Sequence, residues 1–231
     1  MSSIGTNLMS RTVRASTTQT RDKLIRAAEE IFARDGVDGG QMRDIVRSAG
    51  QSNPSAVQYH FGSRRGLLDA VMALHHERTD SVLTGLVKTS RGSAVEPAVE
   101  GVEGLDGQEA VRALVLAQAE ELGTERGRRR LCVAAQLSHE SGIRSRVPHP
   151  ELRGSVHWDV IQRMDDVLPD GLAEPLRRER LDLALTLISA ALADRARRSL
   201  AGVEHLTGDQ IFLAELVSMT TALLRATPPA A

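Results

Sequence analysis

Side chains suited to hydrogen bonding with nucleic acid are concentrated between residues 41 and 64 of this 231-residue chain. Amide and hydroxyl groups match the donors and acceptors on base edges, whereas arginine, tyrosine and histidine side chains suit phosphate oxygens. The candidate contacts are Gln41, Arg43, Ser52, Asn53, Ser55, Gln58, Tyr59, His60 and Arg64. The competing interpretation is that these residues form the solvated face of an ordinary helical hairpin.

Other chemistries find little support in the residue pattern. We find no GxSxG, P-loop or HExxH motif and no paired carboxylates on a recognisable scaffold, so no catalytic residue is predicted. His75, His76 and Glu77 are adjacent in sequence. Because adjacent side chains diverge by about 100° on a helix, their spacing argues against a metal site. The sequence predicts neither a metal nor a cofactor.

Two short helices joined by a glycine turn must position the polar residues. Met42, Ile45 and Val46 recur at helical spacing, which predicts a first helix of about two turns with one narrow buried face. Gly50 follows that periodic run directly, and glycine readily adopts the left-handed conformation that ends a helix. The chain must therefore reverse sharply just before the second helix.

The second helix is predicted to run from about Pro54 to Tyr59. Asn53 is the expected N-cap, with Ser52 as the alternative, and Pro54 suits the first helical position, where no N–H is needed. A helix, a glycine turn and a short polar helix indicate a helix-turn-helix motif, whose second helix enters the major groove of DNA.

Longer helices are predicted on both sides of this motif. Upstream, Thr20 can cap a helix over residues 21–35, and Leu24, Ala27, Ala28, Ile31 and Phe32 form its apolar stripe. Downstream, Ser63 can cap a long helix that connects the two halves of the chain. Residues 1–19 are rich in serine and threonine, lack a clear period and contain Arg11 and Arg14, which predicts a mobile basic arm.

Residues 20–68 together resemble the N-terminal domain of the TetR family of transcriptional regulators. The resemblance is carried by Leu24, Ile25, Ala27, Ala28, Phe32, Gly36, Ile45, Ala49, Gly50, Tyr59, His60, Phe61, Ser63, Leu67 and Leu68. It implies a three-helix DNA-binding domain, a helical ligand-binding and dimerisation domain and control by a small molecule. The chain departs from the family pattern at Val46, Gly40 and Gln41, and its recognition segment is one residue longer, which leaves the base contacts least transferable.

Charge and composition agree with this resemblance. Residues 1–65 carry 10 Lys and Arg against 6 Asp and Glu, whereas residues 66–231 carry 19 against 24. The basic end is therefore the motif end, as a phosphate-binding surface requires. Cys132 is the only cysteine, and no run of ~18 apolar residues predicts a membrane span, so we expect a cytoplasmic protein.

The C-terminal part contains two strongly apolar helices, predicted over residues 173–200 and 208–226. Their apolar residues cover more than one face, and this excess predicts a homodimer formed by a four-helix interface. The predicted interface residues are Ile188, Leu192, Phe212, Leu216, Met219 and Leu223. The candidate ligand-binding residues are Gln136, His139 and Trp158, each of which is equally compatible with a core or surface position.

The sequence thus predicts an all-α chain with a mobile arm (1–19), a helix-turn-helix domain (20–66) and a helical ligand-binding and dimerisation domain (67–231). The predicted function is that of a regulator, most simply a repressor, that binds a palindromic operator in double-stranded DNA and is released by a small-molecule effector. The alternative is a helical enzyme or an adaptor that does not bind DNA sequence-specifically.

Overall fold

The computed structural model describes residues 4–53, 55–90, 102, 104–145 and 147–227. Every regular element in these ranges is helical, which confirms the all-α prediction. The α-helices are α1 (Ile4–Asp35), α2 (Met42–Ser48), α3 (Ala56–Phe61), α4 (Arg64–Ser90), α5 (Gly107–Ala119), α6 (Glu125–Gln136), α7 (Val156–Arg163), α8 (Glu174–Leu200) and α9 (Asp209–Arg225). None of the described helices is long and apolar enough to cross a membrane.

The chain divides into two compact units within α4, between Met72 and Ala73. This boundary lies six residues beyond the one placed after residue 66 from the motif. The N-terminal unit contains α1, α2, α3 and the first turns of α4. Its core is built from the predicted stripe of α1 together with residues of α2 and α4, and its fully buried members include Leu24, Phe32, Ile45 and Leu67.

Helix α1 is about twice as long as the sequence predicts. Its apolar stripe is buried as expected, but the helix already begins at Ile4, through most of the stretch predicted to be an arm without regular structure. Apolar periodicity identifies helices that have a regular apolar stripe, and the Ser- and Thr-rich sequence before Thr20 contains none. The expected arm is therefore helical from Ile4 onward, whereas its mobility and its contact with DNA stay predictions.

The C-terminal unit is a helical bundle. In it α6 packs against α8, and α5 packs against α7 and α9. A capping box starts α5: the Asp106 carboxylate accepts from the Glu109 backbone N–H at 2.8 Å, and the Glu109 carboxylate accepts from the Asp106 N–H at 2.9 Å. The predicted final helices are confirmed almost to the residue as α8 and α9.

The apolar spacing of residues 151–168 predicts a single helix, and that prediction is wrong. Gly154 adopts a left-handed φ of 67°, which separates a 3₁₀ turn (Pro150–Leu152) from α7. Ser155 then caps α7 by accepting from the Trp158 N–H at 3.1 Å, and a second 3₁₀ turn (Met164–Val167) follows the helix. Periodicity spans this break because both pieces bury their apolar residues in the same core.

Candidate nucleic-acid interface

The turn between α2 and α3 has the geometry that the glycine predicts. Gly50 has a φ of 67°, and its N–H donates to the Arg47 carbonyl at 3.0 Å. The Gln51 N–H donates to the Val46 carbonyl, also at 3.0 Å. This pair of bonds is a Schellman motif, which satisfies the last carbonyls of α2 and turns the chain toward α3.

Helix α3 begins two residues later than predicted. The Asn53 side chain accepts from the Ser55 N–H at 2.9 Å, and the Asn53 carbonyl accepts from the Ala56 N–H at 3.0 Å. Asn53 therefore caps a turn that precedes the helix. Its side chain accepts from the N–H two residues further on, which forms an Asx turn, and a helix N-cap can use the same N–H. Pro54, the predicted first helical residue, lies outside the described residues.

Most of the predicted DNA contacts lie at the surface of the N-terminal unit. Exposed side chains belong to Gln41, Arg43, Ser52, Asn53, Ser55, Gln58 and Tyr59. Tyr59 is 79% exposed although it is aromatic, whereas Val57 of the same helix is buried and anchors α3. An aromatic phenol displayed on a short helix beside a buried anchor is well placed to contact a partner.

Two residues of α1 that the sequence does not predict as DNA contacts lie beside the predicted ones. Thr17 and Thr20 line a cleft of about 400 Å³ together with residues of the turn and α3. The remaining lining residues are Gln51, Asn53, Ser55, Ala56, Tyr59 and His60. The cleft is rich in hydroxyl and amide groups, the types that bind phosphate and sugar oxygens. The sequence does not predict a role for these threonines because they precede the apolar stripe of α1.

Two further arginines were also missed. The guanidinium of Arg47 lies 2.6 Å from the Asp44 carboxylate while its side chain stays 79% exposed. Arg21 places its guanidinium 5.2 Å from the centre of the ring of Phe61, which is half-buried. Both are exposed cations close to the predicted contacts.

Arg64 has a different role from the phosphate contact that the sequence predicts. Its guanidinium donates to the carbonyls of Gly40 at 2.5 Å and of Val37, and it stacks 5.3 Å from the centre of the Phe32 ring. The side chain is half-buried by these contacts. A third acceptor is the Asp38 carbonyl, at 3.4 Å. All three carbonyls belong to the α1–α2 connection. Arg64 therefore joins the start of α4 to the base of the helix-turn-helix.

The C-terminal unit does not bring the three predicted ligand-binding residues into either of its two described clefts. Gln136 and His139 are exposed, and Trp158 is half-buried. The Gln136 amide donates to the Cys132 carbonyl at 3.0 Å, within its own helix. One cleft of this unit is lined by Arg195, Glu204, His205, Leu206, Thr207, Gly208 and Asp209. Another is lined by Ala73, His76, Glu77, Asp80, Glu151 and Ser155.

Next to this cleft the structure assembles a group of histidines that we call the histidine cluster: His75, His76, His149 and His157. The ring centre of His76 lies 5.6 Å from that of His75, 5.8 Å from that of His157 and 6.5 Å from that of His149. Burial lowers the pKa of His76 to about 2 and that of His157 to about 3, and neighbouring imidazoles add to both shifts. Both rings are therefore neutral at pH 7.

The predicted dimer residues divide into two groups. Ile188, Leu192 and Leu216 are completely buried within the single chain, so their assignment to the interface is wrong. They fill the core between α8 and its neighbours, and an apolar sequence pattern does not distinguish that core from a subunit contact. Phe212 and Leu223 are half-buried, and Met219 is 51% exposed.

The N-terminal unit is similar to a known protein family. Residues 24–71 match the model of the family described as bacterial regulatory proteins, tetR family. A comparison with curated proteins found no match. The matched segment contains the buried stripe of α1, the α2–α3 turn and the start of α4, which are the elements described above.

Solved structures match over most of the chain. A candidate tetR family transcription regulator from Shewanella sp. PV-4 shares 14% identity at a TM-score of 0.55, covering 90% of this chain and 99% of that one. A bacterial regulatory protein in the tetR family from Rhodococcus RHA1 shares 16% identity at a TM-score of 0.49, covering 90% and 98%. A TetR-family transcriptional regulator from Pectobacterium atrosepticum shares 21% identity at a TM-score of 0.42, covering 94% and 99%. The Shewanella structure supports a shared fold.

The contacts of Arg64 predict a measurable loss of order in the helix-turn-helix. Arg64→Ala should raise the hydrogen-exchange rate of residues 37–61 about 100-fold, because losing charged hydrogen bonds to part-buried carbonyls costs about 3 kcal/mol. Arg65→Ala is the matched control, since the neighbouring Arg65 forms an exposed ion pair with Asp69 at 2.7 Å. That pair contributes less than about 1 kcal/mol. Equal exchange in both variants, measured by mass spectrometry, would show that Arg64 does not hold the motif.

Proposed function

We propose, from the premise that the N-terminal unit belongs to the tetR family of bacterial regulatory proteins, that the chain is a cytoplasmic repressor of transcription. It binds a palindromic operator as a homodimer and leaves it when a small molecule occupies the C-terminal unit. The helix-turn-helix fold supports DNA-binding transcriptional regulation directly. The observation that carries the finer proposal is the exposed polar face of α3 and the turn before it.

Base recognition is assigned to the exposed residues at the start of α3. Asn53, Ser55 and Gln58 present amide and hydroxyl groups that can reach base edges in the major groove. The short side chains near the helix start let the backbone approach the DNA closely. Gln58, the longest of the three, is the candidate for a bidentate contact with adenine.

Phosphate contacts surround this group on several elements. Gln41 and Arg43 are exposed at the start of α2, and Tyr59 and His60 lie on α3. We add Thr17, Thr20, Arg21 and Arg47, which the structure places beside these residues or on the same helices. Arg64 is withdrawn as a phosphate contact, because its guanidinium is already bonded to protein carbonyls. The predicted interface thus extends from α3 onto α1.

The homodimer is proposed to form through α8 and α9. Leu183 of α8 is 50% exposed, and Ile211 and Met219 of α9 are 59% and 51% exposed. Ile211 and Met219 are eight residues apart, which places both on one side of α9. Apolar side chains aligned on neighbouring helices support a two-fold contact between copies, and a two-fold dimer reads a palindrome.

Release by an effector requires two conformations with different affinities for DNA. To move the protein from 99:1 to 1:99 between them, an effector must prefer the DNA-incompetent state by ~10⁴-fold, about 5.5 kcal/mol. Helix α4 runs unbroken from Arg64 to Ser90 and so connects the two units through continuous backbone. We propose that a tilt of α4 changes the distance between the two recognition helices of the dimer.

A helical enzyme and an adaptor without DNA binding are the competing functions. The family comprises regulators, and the matching structures reported above are described as regulators as well. Neither rival function would require an exposed polar face on α3 beside a Schellman turn. We therefore propose no catalytic activity for the chain.

Single substitutions should separate base contacts from phosphate contacts. Gln58→Ala should weaken binding to the operator by about 1–3 kcal/mol and lower discrimination against a mismatched site, because a base-edge contact is lost. Arg43→Ala should weaken binding to the operator and to the mismatched site about equally. It should also reduce the slope of log affinity against log salt concentration by about one unit. Fluorescence anisotropy between 50 and 200 mM salt measures both effects. Arg163→Ala is the control, since Arg163 is paired with Asp166 at 3.2 Å in the C-terminal unit. Altered sequence preference in the Arg43 variant would contradict the assignment.

A charge on the exposed side of α9 should dissociate the dimer. Met219→Glu should weaken association about 100-fold, since burying an unpaired carboxylate costs about 3 kcal/mol. Val147→Glu is the matched control because Val147 is 56% exposed and lies outside α8 and α9. Leu216→Glu is unsuitable, because Leu216 is buried within one chain and its replacement would unfold the C-terminal unit. A wild-type protein that sediments as a monomer at micromolar concentration would refute the dimer.

A further inference from the structure

The unpaired buried side-chain polar atoms of the described residues belong to three residues of α4 and one of α7. They are His75 Nδ1, His76 Nδ1, Thr79 Oγ1 and His157 Nδ1. His75 is 3% exposed, Thr79 is fully buried and His157 is 4% exposed. A buried polar group without a partner costs about 1–3 kcal/mol, so several together in one site are unusual for a folded domain. Their concentration points to a polar guest.

The histidine cluster is connected to the surface through His76. This residue lines one cleft of the C-terminal unit, and its ring meets the rings of His75 and His157 at 5.6 and 5.8 Å. The cleft has a volume of about 240 Å³. It is smaller than the ~300–1,000 Å³ of typical sites for drug-sized ligands, so its guest must be compact.

The charges around the cleft determine the chemistry of that guest. Glu77, Asp80 and Glu151 contribute three carboxylates to the six lining residues, and the other three are His76, Ala73 and Ser155. Lysine and arginine are absent from this lining set. Asp80 also accepts from the His157 backbone N–H at 2.8 Å, which couples the cleft to the start of α7. A negatively charged mouth over neutral imidazoles favours a cation that donates hydrogen bonds.

The charge of Asp80 also acts on a neighbouring carboxylate. The pKa of Asp159 is raised above its usual value, first by burial and then by the charge of Asp80. By contrast, Glu121 lies 3.9 Å from His75 Nδ1, but its carboxylate is paired with Arg130 at 3.0 Å. The uncompensated negative charge is therefore on the cleft side of the histidine cluster.

A metal ion does not fit the cluster as it stands. Within the described ranges, no group of three or more His, Cys, Asp or Glu side chains is arranged to hold one. An organic guest is therefore the alternative.

We propose that the cleft formed by Ala73, His76, Glu77, Asp80, Glu151 and Ser155 binds a compact organic ammonium ion, a small primary amine or diamine. Its ammonium group lies among the carboxylates, and its N–H donors reach the imidazole nitrogen of His76, the one unpaired residue that lines the cleft. This assignment rests on the proposed function, in which the C-terminal unit takes an effector, and it names the chemical class of that effector.

Calorimetric titration of the full chain tests the site with paired probes. Ethanolamine and 1,4-diaminobutane carry the ammonium group, whereas ethylene glycol and 1,4-butanediol have nearly the same shape without charge. We expect saturable binding of at least one amine and an affinity at least tenfold lower for its diol. No saturable binding of either amine, or equal binding of amine and diol, would overturn the proposal.

The double variant Glu77→Gln with Glu151→Gln locates the site. Both side chains are exposed and keep their volume, so the variant should fold normally and bind the amine at least tenfold more weakly. Glu204→Gln, an exposed carboxylate in the α8–α9 connection, is the matched control and should bind like wild type. Unchanged amine affinity in the double variant would also overturn the site.

A parallel DNA titration separates this inference from the proposed function. If the amine binds and lowers operator affinity, both are supported. If it binds in a manner sensitive to Glu77 and Glu151 but leaves operator affinity unchanged, the site stands and ligand-controlled release fails. If operator binding is intact but neither amine binds, the regulator stands and the amine site falls.

Discussion

The guanidinium of Arg64 is the contact on which the geometry of the N-terminal unit depends. It lies against the Phe32 ring, and it donates to backbone carbonyls between α1 and α2. Those carbonyls belong to a connection that has no regular structure to satisfy them. One charged side chain thus joins the end of α1, the start of α2 and the first turn of α4. This contact ties the start of α4 to the α1–α2 connection.

Much of the fold can be predicted from the sequence, because helix caps, turns and apolar stripes depend on residues that are close together in the chain. The stripe ending in Phe32, the left-handed Gly50 and the cap at Ser63 each predict a feature that the structure confirms. The role of Arg64 was not predictable in the same way, since its carbonyl partners lie 24 to 27 residues away. A cation in the first turn of a helix suggests phosphate, and only the tertiary structure shows that protein carbonyls take its place.

In the C-terminal unit, sequence patterns predict the helices but not which residues meet in the folded chain. Excess apolar residues on α8 and α9 correctly predict two well-packed helices, but Ile188 and Leu216 belong to the core of one chain. The sequence argues against a site at His75 and His76, because their side chains diverge on a helix. His149, which precedes α7, and His157, which lies in α7, both approach His76 in the folded chain. Such a cluster has no signature in residue spacing, because its members come from separate elements.

Sequence-specific recognition by a two-fold dimer is the central claim, and footprinting on the DNA upstream of the chain's own gene tests it most directly. The account predicts a protected inverted repeat whose half-site centres lie about 10 base pairs, or a multiple of that, apart. It also predicts that scrambling both half-sites at constant salt weakens binding at least ~10³-fold. Equal affinity for the repeat and its scrambled counterpart would contradict the account.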